Sequence, residues 1–359
     1  MTEVDRGEGK IVTKPKINTM EELSAAIGVS RPTLSRYFQD PDSVRRSTGE
    51  KIRAALEGVE YVPNFFATRM NRKMSGLIGV IIPHLNDLFF TSLLNVIEIA
   101  AQEAGFTVIT QSSHGDPEME ARAAERLLSM NADGAIVGPL GADSNVVALG
   151  RLGANLPFIF VDSRLPQSLP NIDFVGTDNR QSIGIMTEYL CRKSEAPVFL
   201  GMPRLNSNSE EREAAYLSAM ARLGRVPRVI ESAIKPEGWA FEAYAYQVMT
   251  EQFGRGHFAG DTLICANDRL AIGALRAANR HGLFARDLEP RQSIRIAGHD
   301  DHPLSRFMTP SLTTVAQDVD AIGRCAVDVL VRRIHGGAAT AEGPEIRMFD
   351  ANLRVRESA

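Results

Sequence analysis

From residue 77 onward, short unbroken apolar runs alternate with longer stretches of helical period. The runs are "LIGVIIP" (77–83), "FTVITQSS" (106–113), "GAIVGPL" (134–140), "PFIFVDS" (157–163), "APVFLGMP" (196–203), "PRVIESA" (227–233), "DTLICAND" (261–268) and "IRIAGHDD" (294–301). Runs this short and continuous read as strands buried on both faces of a parallel sheet. Helices are predicted over 90–104, 117–130, 209–223, 239–253 and 269–281. Two consecutive series of about five βα units predict an α/β core of two doubly wound parallel-sheet lobes. Ligands of such sheets bind beyond the carboxyl ends of the strands. The residues there, "HLND", "GPLG", "VDSR", "MPRLN", "CAND" and "GHDD", are polar or glycine-rich and would converge on a cleft between the lobes.

The first 76 residues follow a different pattern. Residues 1–17 are polar, without periodicity, and read as a disordered tail. Thr19 and Glu22 form a capping box before a helix with Leu23, Ala26 and Ile27 on one face, stopped by Gly28. Ser30 then caps a second helix running to about Phe38, with Pro32 in its first turn, where a missing N–H has no intrahelical partner. Ser47 and Glu50 predict a second capping box and a third helix through Ile52, Ala55 and Leu56. Two helices joined by a tight Gly-containing turn, followed by a third, match the helix-turn-helix pattern. Asn64 caps a further short basic helix ending near Lys73.

Charge sharpens this division. The chain has 359 residues and a formal net charge of −4, but residues 1–76 carry 13 Lys/Arg against 10 Asp/Glu. That +3 leaves −7 for the remainder, an asymmetry that can mark a nucleic-acid-binding end. The three cysteines, Cys191, Cys265 and Cys325, have no CxxC or Cys/His spacing, so neither a disulfide framework nor a zinc site is expected, and a reducing cytoplasm fits. The start has no apolar signal-peptide core, and no run approaches the roughly 18 apolar residues of a membrane span.

Enzyme motifs are missing: no GxGxxG follows a strand, and there is no GxxxxGK[ST], GxSxG or HExxH. Asp300 and Asp301 beside His302 superficially resemble a metal cluster, but adjacent carboxylates at a strand end are read as sugar-hydroxyl or turn ligands. No catalytic residue, metal or cofactor is expected. Carboxylates, asparagines, arginines and aromatics without a nucleophile–base pair read as a binding cleft for a polyol.

The motifs "VSRPTLSR", "YVPN", "LIGVIIP", "NDLFF", "CANDRLAIGALRA", "IAGHDD" and "PSLTTVAQD", in this order and spacing, make the chain resemble the LacI/GalR family of bacterial transcription regulators from about residue 18 to 356. The resemblance implies a helix-turn-helix domain over 18–62, a hinge helix over 63–76 and a two-lobed effector-binding and dimerisation domain over 77–359, like the periplasmic sugar-binding proteins. It implies that the second helix enters the major groove of a pseudopalindromic operator, with Thr19, Ser30, Arg31, Pro32, Thr33, Ser35 and Arg36 at the DNA. Pro32 departs from the family pattern: it can touch only an apolar feature such as a thymine methyl, so direct base reading falls to Arg31. The alternative is that Arg31 only neutralises phosphate. Asn64, Ala67 and Met70 match hinge-helix positions in the minor groove, Met70 standing where family members usually insert a leucine.

For the effector, the matching positions are Asp87, Phe89, Phe90, Asp162, Asn206, Asn208, Arg212, Trp239, Asn267, Asp300 and Gln317, with Trp239 covering one sugar face. On its own, a lone tryptophan at helical spacing is more often core than ligand. Asp268 reads as structural, at a helix start that suits its charge. Arg164, Arg204, Arg212 and Arg269 favour a phosphorylated or acidic sugar; Asp87, Asp162 and Asp300 favour a neutral sugar or polyol. The expected protein is a cytoplasmic, homodimeric DNA-binding regulator, a repressor controlled by a small carbohydrate-like effector. Its rivals on the same core are a solute-binding protein and a sugar-modifying enzyme.

Overall fold

Thr19 Oγ1 accepts from Glu22 N at 3.1 Å, while Glu22 Oε2 reaches back to Asn18 N at 2.9 Å, one residue before the cap. Helix α1 (Met20–Ile27) opens there and stops at Gly28, whose φ of 67° is the left-handed conformation a helix stop uses. Helix α2 (Arg31–Gln39) begins after Ser30, whose carbonyl accepts from Thr33 N and Leu34 N at 2.9 and 3.0 Å. Pro32 therefore costs the helix no hydrogen bond. The Ser30 side chain makes no capping bond; its hydroxyl meets Thr33 Oγ1 at 2.9 Å. Helix α3 (Arg46–Glu57) starts ahead of the expected Ser47–Glu50 box, with Arg45 at the cap position and no capping side chain. Glu50 is instead held by Arg46 Nε, one turn earlier, at 3.0 Å. Leu23, Ile27, Leu34, Tyr37 and Ile52 form the buried core of the three helices, whereas Ala26 is exposed.

The computed structural model describes residues 14–63, 74–193, 196–203, 205–234, 238–284, 293–336 and 343–359. They form two units that divide at Ser75/Gly76. The end of the expected tail belongs to the first unit: Ile17 N donates to Glu60 O at 2.9 Å, and Glu60 N to Pro15 O at 3.0 Å. Asn64, Ala67 and Met70 of the expected hinge helix lie outside the described residues.

The second unit has two parallel sheets. One contains β1 (Leu77–Ile82), β2 (Thr107–Ser112), β3 (Gly134–Val137), β4 (Phe158–Val161), β5 (Asp173–Thr177) and β11 (Ile346–Phe349), in the order β11-β5-β4-β3-β1-β2. The other contains β6 (Val198–Leu200), β7 (Arg228–Val229), β8 (Thr262–Cys265) and β9 (Arg295–Ala297), in the order β7-β6-β8-β9. Every residue of β1, β3, β4, β6 and β8 is buried, which is why these strands read as continuous apolar runs. The helices are α4 (Leu88–Glu103), α5 (Pro117–Ser129), α6 (Val146–Asn155), α7 (Asn179–Lys193), α8 (Ser207–Arg222), α9 (Phe241–Gly254), α10 (Asp268–Arg280) and α11 (Val319–Gly336). The helix cover is close: a Cβ on Gly79 of β1 would lie 2.2 Å from Leu127 of α5.

The two series of βα units are not simply consecutive. After β5 the chain leaves the lobe of the six-stranded sheet, lobe 1, and enters that of the four-stranded sheet, lobe 2, through α7. It returns to lobe 1 through α11, which packs on β3, β4 and β5. It crosses again after β11 to place β12 (Asn352–Arg354) antiparallel to β10 (Thr314–Ala316) in lobe 2. Three crossing segments thus join the lobes, after Thr177, Ala316 and Phe349. Strands β5 and β10 to β12 were not among the expected strands.

Candidate functional site

The eleven residues assigned to the effector on sequence grounds line one cleft between the lobes, together with Met202, Phe241 and Arg269. The cleft lies beyond the carboxyl ends of β1 and β4 on one side and β6, β8 and β9 on the other. Three of its polar side chains are fixed by capping helices. Asp87 Oδ1 accepts from Phe89 N at 3.1 Å, Asn206 Oδ1 from Ser209 N at 3.3 Å, and Asn267 Oδ1 from Leu270 N at 2.8 Å. Capping holds each side chain in one orientation at the start of α4, α8 or α10, so the site is built on rigid elements. The free cavity is about 40 Å³.

Arg212, 3% exposed, organises the lobe-2 wall. Its Nε donates to Asn179 Oδ1 at 2.9 Å and its Nη1 to Ala266 O at 2.8 Å, with Asp300 Oδ1 at 3.4 Å. Asn179 Nδ2 continues to Asn208 Oδ1 at 2.9 Å and Glu211 Oε2 at 2.8 Å. Asp300 also accepts from Gln317 Nε2 at 2.7 Å and from His299 Nδ1 at 2.8 Å, while Thr177 Oγ1 donates to Gln317 Oε1. The His299 ring is fully buried, and burial followed by the Arg212 charge pushes its pKa down to about 4. It is therefore neutral at pH 7, its Nδ1–H donating to Asp300 and its Nε2 accepting from Ser182 Oγ at 2.9 Å. His299 was not assigned a role on sequence grounds.

The three carboxylates differ in their environments. Burial pushes Asp300 upward, but Arg212, His299 and Gln317 outweigh it, and its pKa lies below the ordinary value. Asp87 is raised by burial despite Arg269. Asp162 is pushed up to about 7, first by burial and then by the neighbouring Asp300 and Asp87, with Arg212 and Asn208 opposing. Its φ of 64° places a non-glycine residue in the left-handed region, a strained conformation of the kind that gathers at functional sites.

Trp239 comes from lobe 2, just before α9. Its ring contacts Phe90 and His84 of lobe 1, at centroid distances of 6.4 and 5.7 Å, and Phe241 of lobe 2 at 5.4 Å. The only tryptophan thus packs against the edge of the lobe-2 core and bridges from there to lobe 1. On the far side of the cleft the backbones themselves touch: Ala142 N donates to Leu205 O at 3.0 Å, beside Gly141. A Cβ on Gly141, whose φ is 94°, would fall 2.0 Å from Leu205 O.

Arg269 is not free to meet an anion. Its Nε and Nη2 clasp Glu242 at 2.7 and 2.8 Å, and its Nη1 reaches Asp87 Oδ2 at 3.0 Å. Glu242 was missed on sequence grounds, since an exposed helix glutamate carries no signal of such a partner. Arg164 lines a neighbouring cavity of about 310 Å³, stacked over Phe174 at 5.1 Å and near Glu211 at 3.5 Å. Arg204 lies outside the described residues. Asp268 is fully buried and accepts from Ser305 Oγ and Thr314 Oγ1, both at 2.6 Å, and from His302 N at 2.8 Å, tying loops of lobe 2 together. Among the described residues, no group of three or more His, Cys, Asp or Glu could hold a metal, and no helix is long and apolar enough to cross a membrane.

In the first unit, Arg31, Pro32 and Arg36 of α2 are exposed, as is Thr19, while Thr33 and Ser35 are half-buried. The Arg31 guanidinium lies 3.6 Å from Glu21 Oε1, with both side chains largely in solvent. An exposed pair of this kind is worth about 0–1 kcal/mol and gives way readily to phosphate or a base.

A family model described as bacterial regulatory proteins, lacI family, matches residues 19–64, and one described as a periplasmic binding protein-like domain matches residues 192–359. The chain is 27% identical over 332 residues to the HTH-type transcriptional regulator GntR of Escherichia coli K12, covering 91% of this chain and 95% of that protein. It is 28% identical over 328 residues to the HTH-type transcriptional regulator MalR of Streptomyces coelicolor, covering 89% and 91% respectively. Among solved structures, the lac repressor dimer bound to operator and the anti-inducer ONPF superposes with a TM-score of 0.78 at 23% identity, over 96% of this chain and 99% of that one. With a lacI-type helix-turn-helix at its head and a periplasmic-binding-protein-like core behind it, this chain belongs to the lacI family of bacterial DNA-binding transcription regulators.

Proposed function

We propose that the protein is a cytoplasmic repressor, acting as a homodimer on a pseudopalindromic operator, whose DNA affinity is set by a neutral sugar or polyol bound between the two lobes. Two-fold symmetry matches two heads to two half-sites. The observation that carries the ligand class is the charge balance of the cleft. Asp87, Asp162 and Asp300 face it, and of the two arginines lining it one is already shared between Asp87 and Glu242. Acceptors and caps suited to hydroxyl groups remain, with Trp239, Phe90 and Phe241 as apolar walls for a ring. A dianionic phosphate would meet more carboxylate than guanidinium.

The lac repressor structure bound to ONPF and the CelR–cellobiose complex support a carbohydrate-like ligand for the shared architecture. The lacI-type head separates this reading from a solute-binding protein, and the relatives that match most of the chain are transcription regulators rather than enzymes. A thermal-shift screen with neutral sugars, sugar acids and sugar phosphates tests it, because a ligand that binds only the native state raises the melting temperature. Neutral sugars should stabilise the protein and alter its retention of operator DNA. Stabilisation by acids or phosphates alone would overturn the neutral assignment.

A further inference from the structure

Arg269 stands on the second residue of α10 in lobe 2, and nearly everything that holds it is also in lobe 2. Glu242 takes its fork through two hydrogen bonds, Trp239 O accepts from Nη2 at 2.9 Å, and the Phe241 ring lies 5.0 Å beneath the guanidinium. One nitrogen is left to cross the cleft, and Nη1 meets Asp87 Oδ2 at 3.0 Å. Asp87 in turn is oriented by its own lobe, through the cap on Phe89 N. The Arg269 and Asp87 side chains are only 14% and 8% exposed. Among the described residues, the other cross-cleft ion pair, Arg164 and Glu211, is longer at 3.5 Å and 27% and 31% exposed. A pair held rigidly on both sides and largely shielded from water is screened little by salt.

We propose that Arg269 and Asp87 form a latch that holds the two lobes together across the cleft, with Arg269 as a positioning residue that sets how readily the effector enters. This rests on the reading of the cleft as the effector site. The latched cavity of about 40 Å³ holds a few waters, whereas ligand pockets run to roughly 300–1,000 Å³. A ring-sized ligand at these residues therefore requires the lobes to part, and the bridge with them. The apparent affinity for a ligand falls in proportion to the fraction of molecules in the competent state. Loosening the latch should raise the competent fraction. Arg269 was open to reading as an anion receptor from sequence; in the fold its fork is taken by Glu242 of its own lobe and its remaining nitrogen by Asp87 of the other.

The test uses the full chain without any effector and reads Trp239, the only tryptophan, which sits on the seam beside the latch. Acrylamide quenching of its fluorescence is compared between wild type, Asp87→Asn and Arg269→Met. Asp87→Asn is the diagnostic variant, because Asn keeps the capping oxygen and the bridge to Trp239 O is untouched. A latch predicts about a twofold or greater rise in the quenching constant for both variants, with the double variant no higher than the singles. Small-angle scattering should show a larger radius of gyration, while thermal unfolding stays cooperative. Unchanged quenching and scattering in a folded Asp87→Asn protein overturn the latch. Failure of the sugar screen would overturn the ligand class and leave this result standing.

Discussion

Arg212 Nη1 and Asp300 Oδ1 stand 3.4 Å apart, and the same carboxylate oxygen takes hydrogen bonds from His299 and Gln317. One oxygen thus ties the lobe-2 wall to a crossing segment, since Gln317 follows β10 directly. Asp300→Ala should leave Arg212 buried without its counter-charge, a defect worth about 3–5 kcal/mol. Urea unfolding reads the loss, and the thermal shift produced by the screen's best neutral ligand should vanish with it. Retention of both would remove Asp300 from the centre of the site.

Asp162 makes stability depend on pH. Its pKa rises from 3.8 in the ordinary range to about 7 in the fold, so the native state binds a proton that the unfolded chain releases. The resulting stabilisation is complete below pH 3.8 and is lost as pH rises through about 7. Asp162→Asn has no such loss. Relative to the variant, wild type should weaken between pH 5 and 8 by roughly 2–3 kcal/mol. Parallel urea-stability curves at the two pH values would contradict the shift. Asp268, raised likewise to about 7 by burial, is present in both proteins and cancels from the comparison.

Gly141 is where the far rim of the cleft closes. Gly141→Ala puts a methyl group where Leu205 O now lies and forces an alanine to a φ of 94°. The rim should be held apart, with the Ala142–Leu205 hydrogen bond broken. Amide hydrogen exchange at Ala142 is expected to accelerate by an order of magnitude or more. Wild-type exchange in the variant would mean that the lobes do not meet there in solution.

Operator reading is tested at Arg31. If it contacts guanine, Arg31→Ala should relax base preference at one position of each half-site, by about 1–3 kcal/mol. A uniform loss across all operator sequences, with a shallower salt dependence, would assign it to phosphate alone.

Much of the site was legible because the polar residues follow the apolar runs directly. Asp87, Asp162, Asn267 and Asp300 each sit just past a strand whose buried run marks its end. The partners that set their electrostatics were not legible in the same way. Glu242 approaches from a helix 27 residues before Arg269, and Asp87 from 182 residues before it, distances over which local patterning is silent. The short strands β10 and β12 lack a long apolar run, being only three residues each. The Ser47–Glu50 box failed for a local reason: the Arg46–Glu50 pair one turn apart extended the helix backwards and took the glutamate.

The three crossings between the lobes also bear on how the chain is made. Lobe 1 begins with β1 but lacks its covering helix α11 and its edge strand β11 until Phe349 has been added. Helix α11 packs on β3, β4 and β5 with Ile322, Ala326, Val329 and Leu330 buried, so the sheet face it covers stays open meanwhile. At about 5–20 residues per second, translation from the end of α3 to Phe349 takes roughly 15–60 s. During that interval the three-helix head has all of its own core, while neither lobe behind it is complete. A ribosome therefore presents a finished DNA-binding head ahead of an unfinished sensor, whose sheet face under α11 is uncovered until that helix has been made.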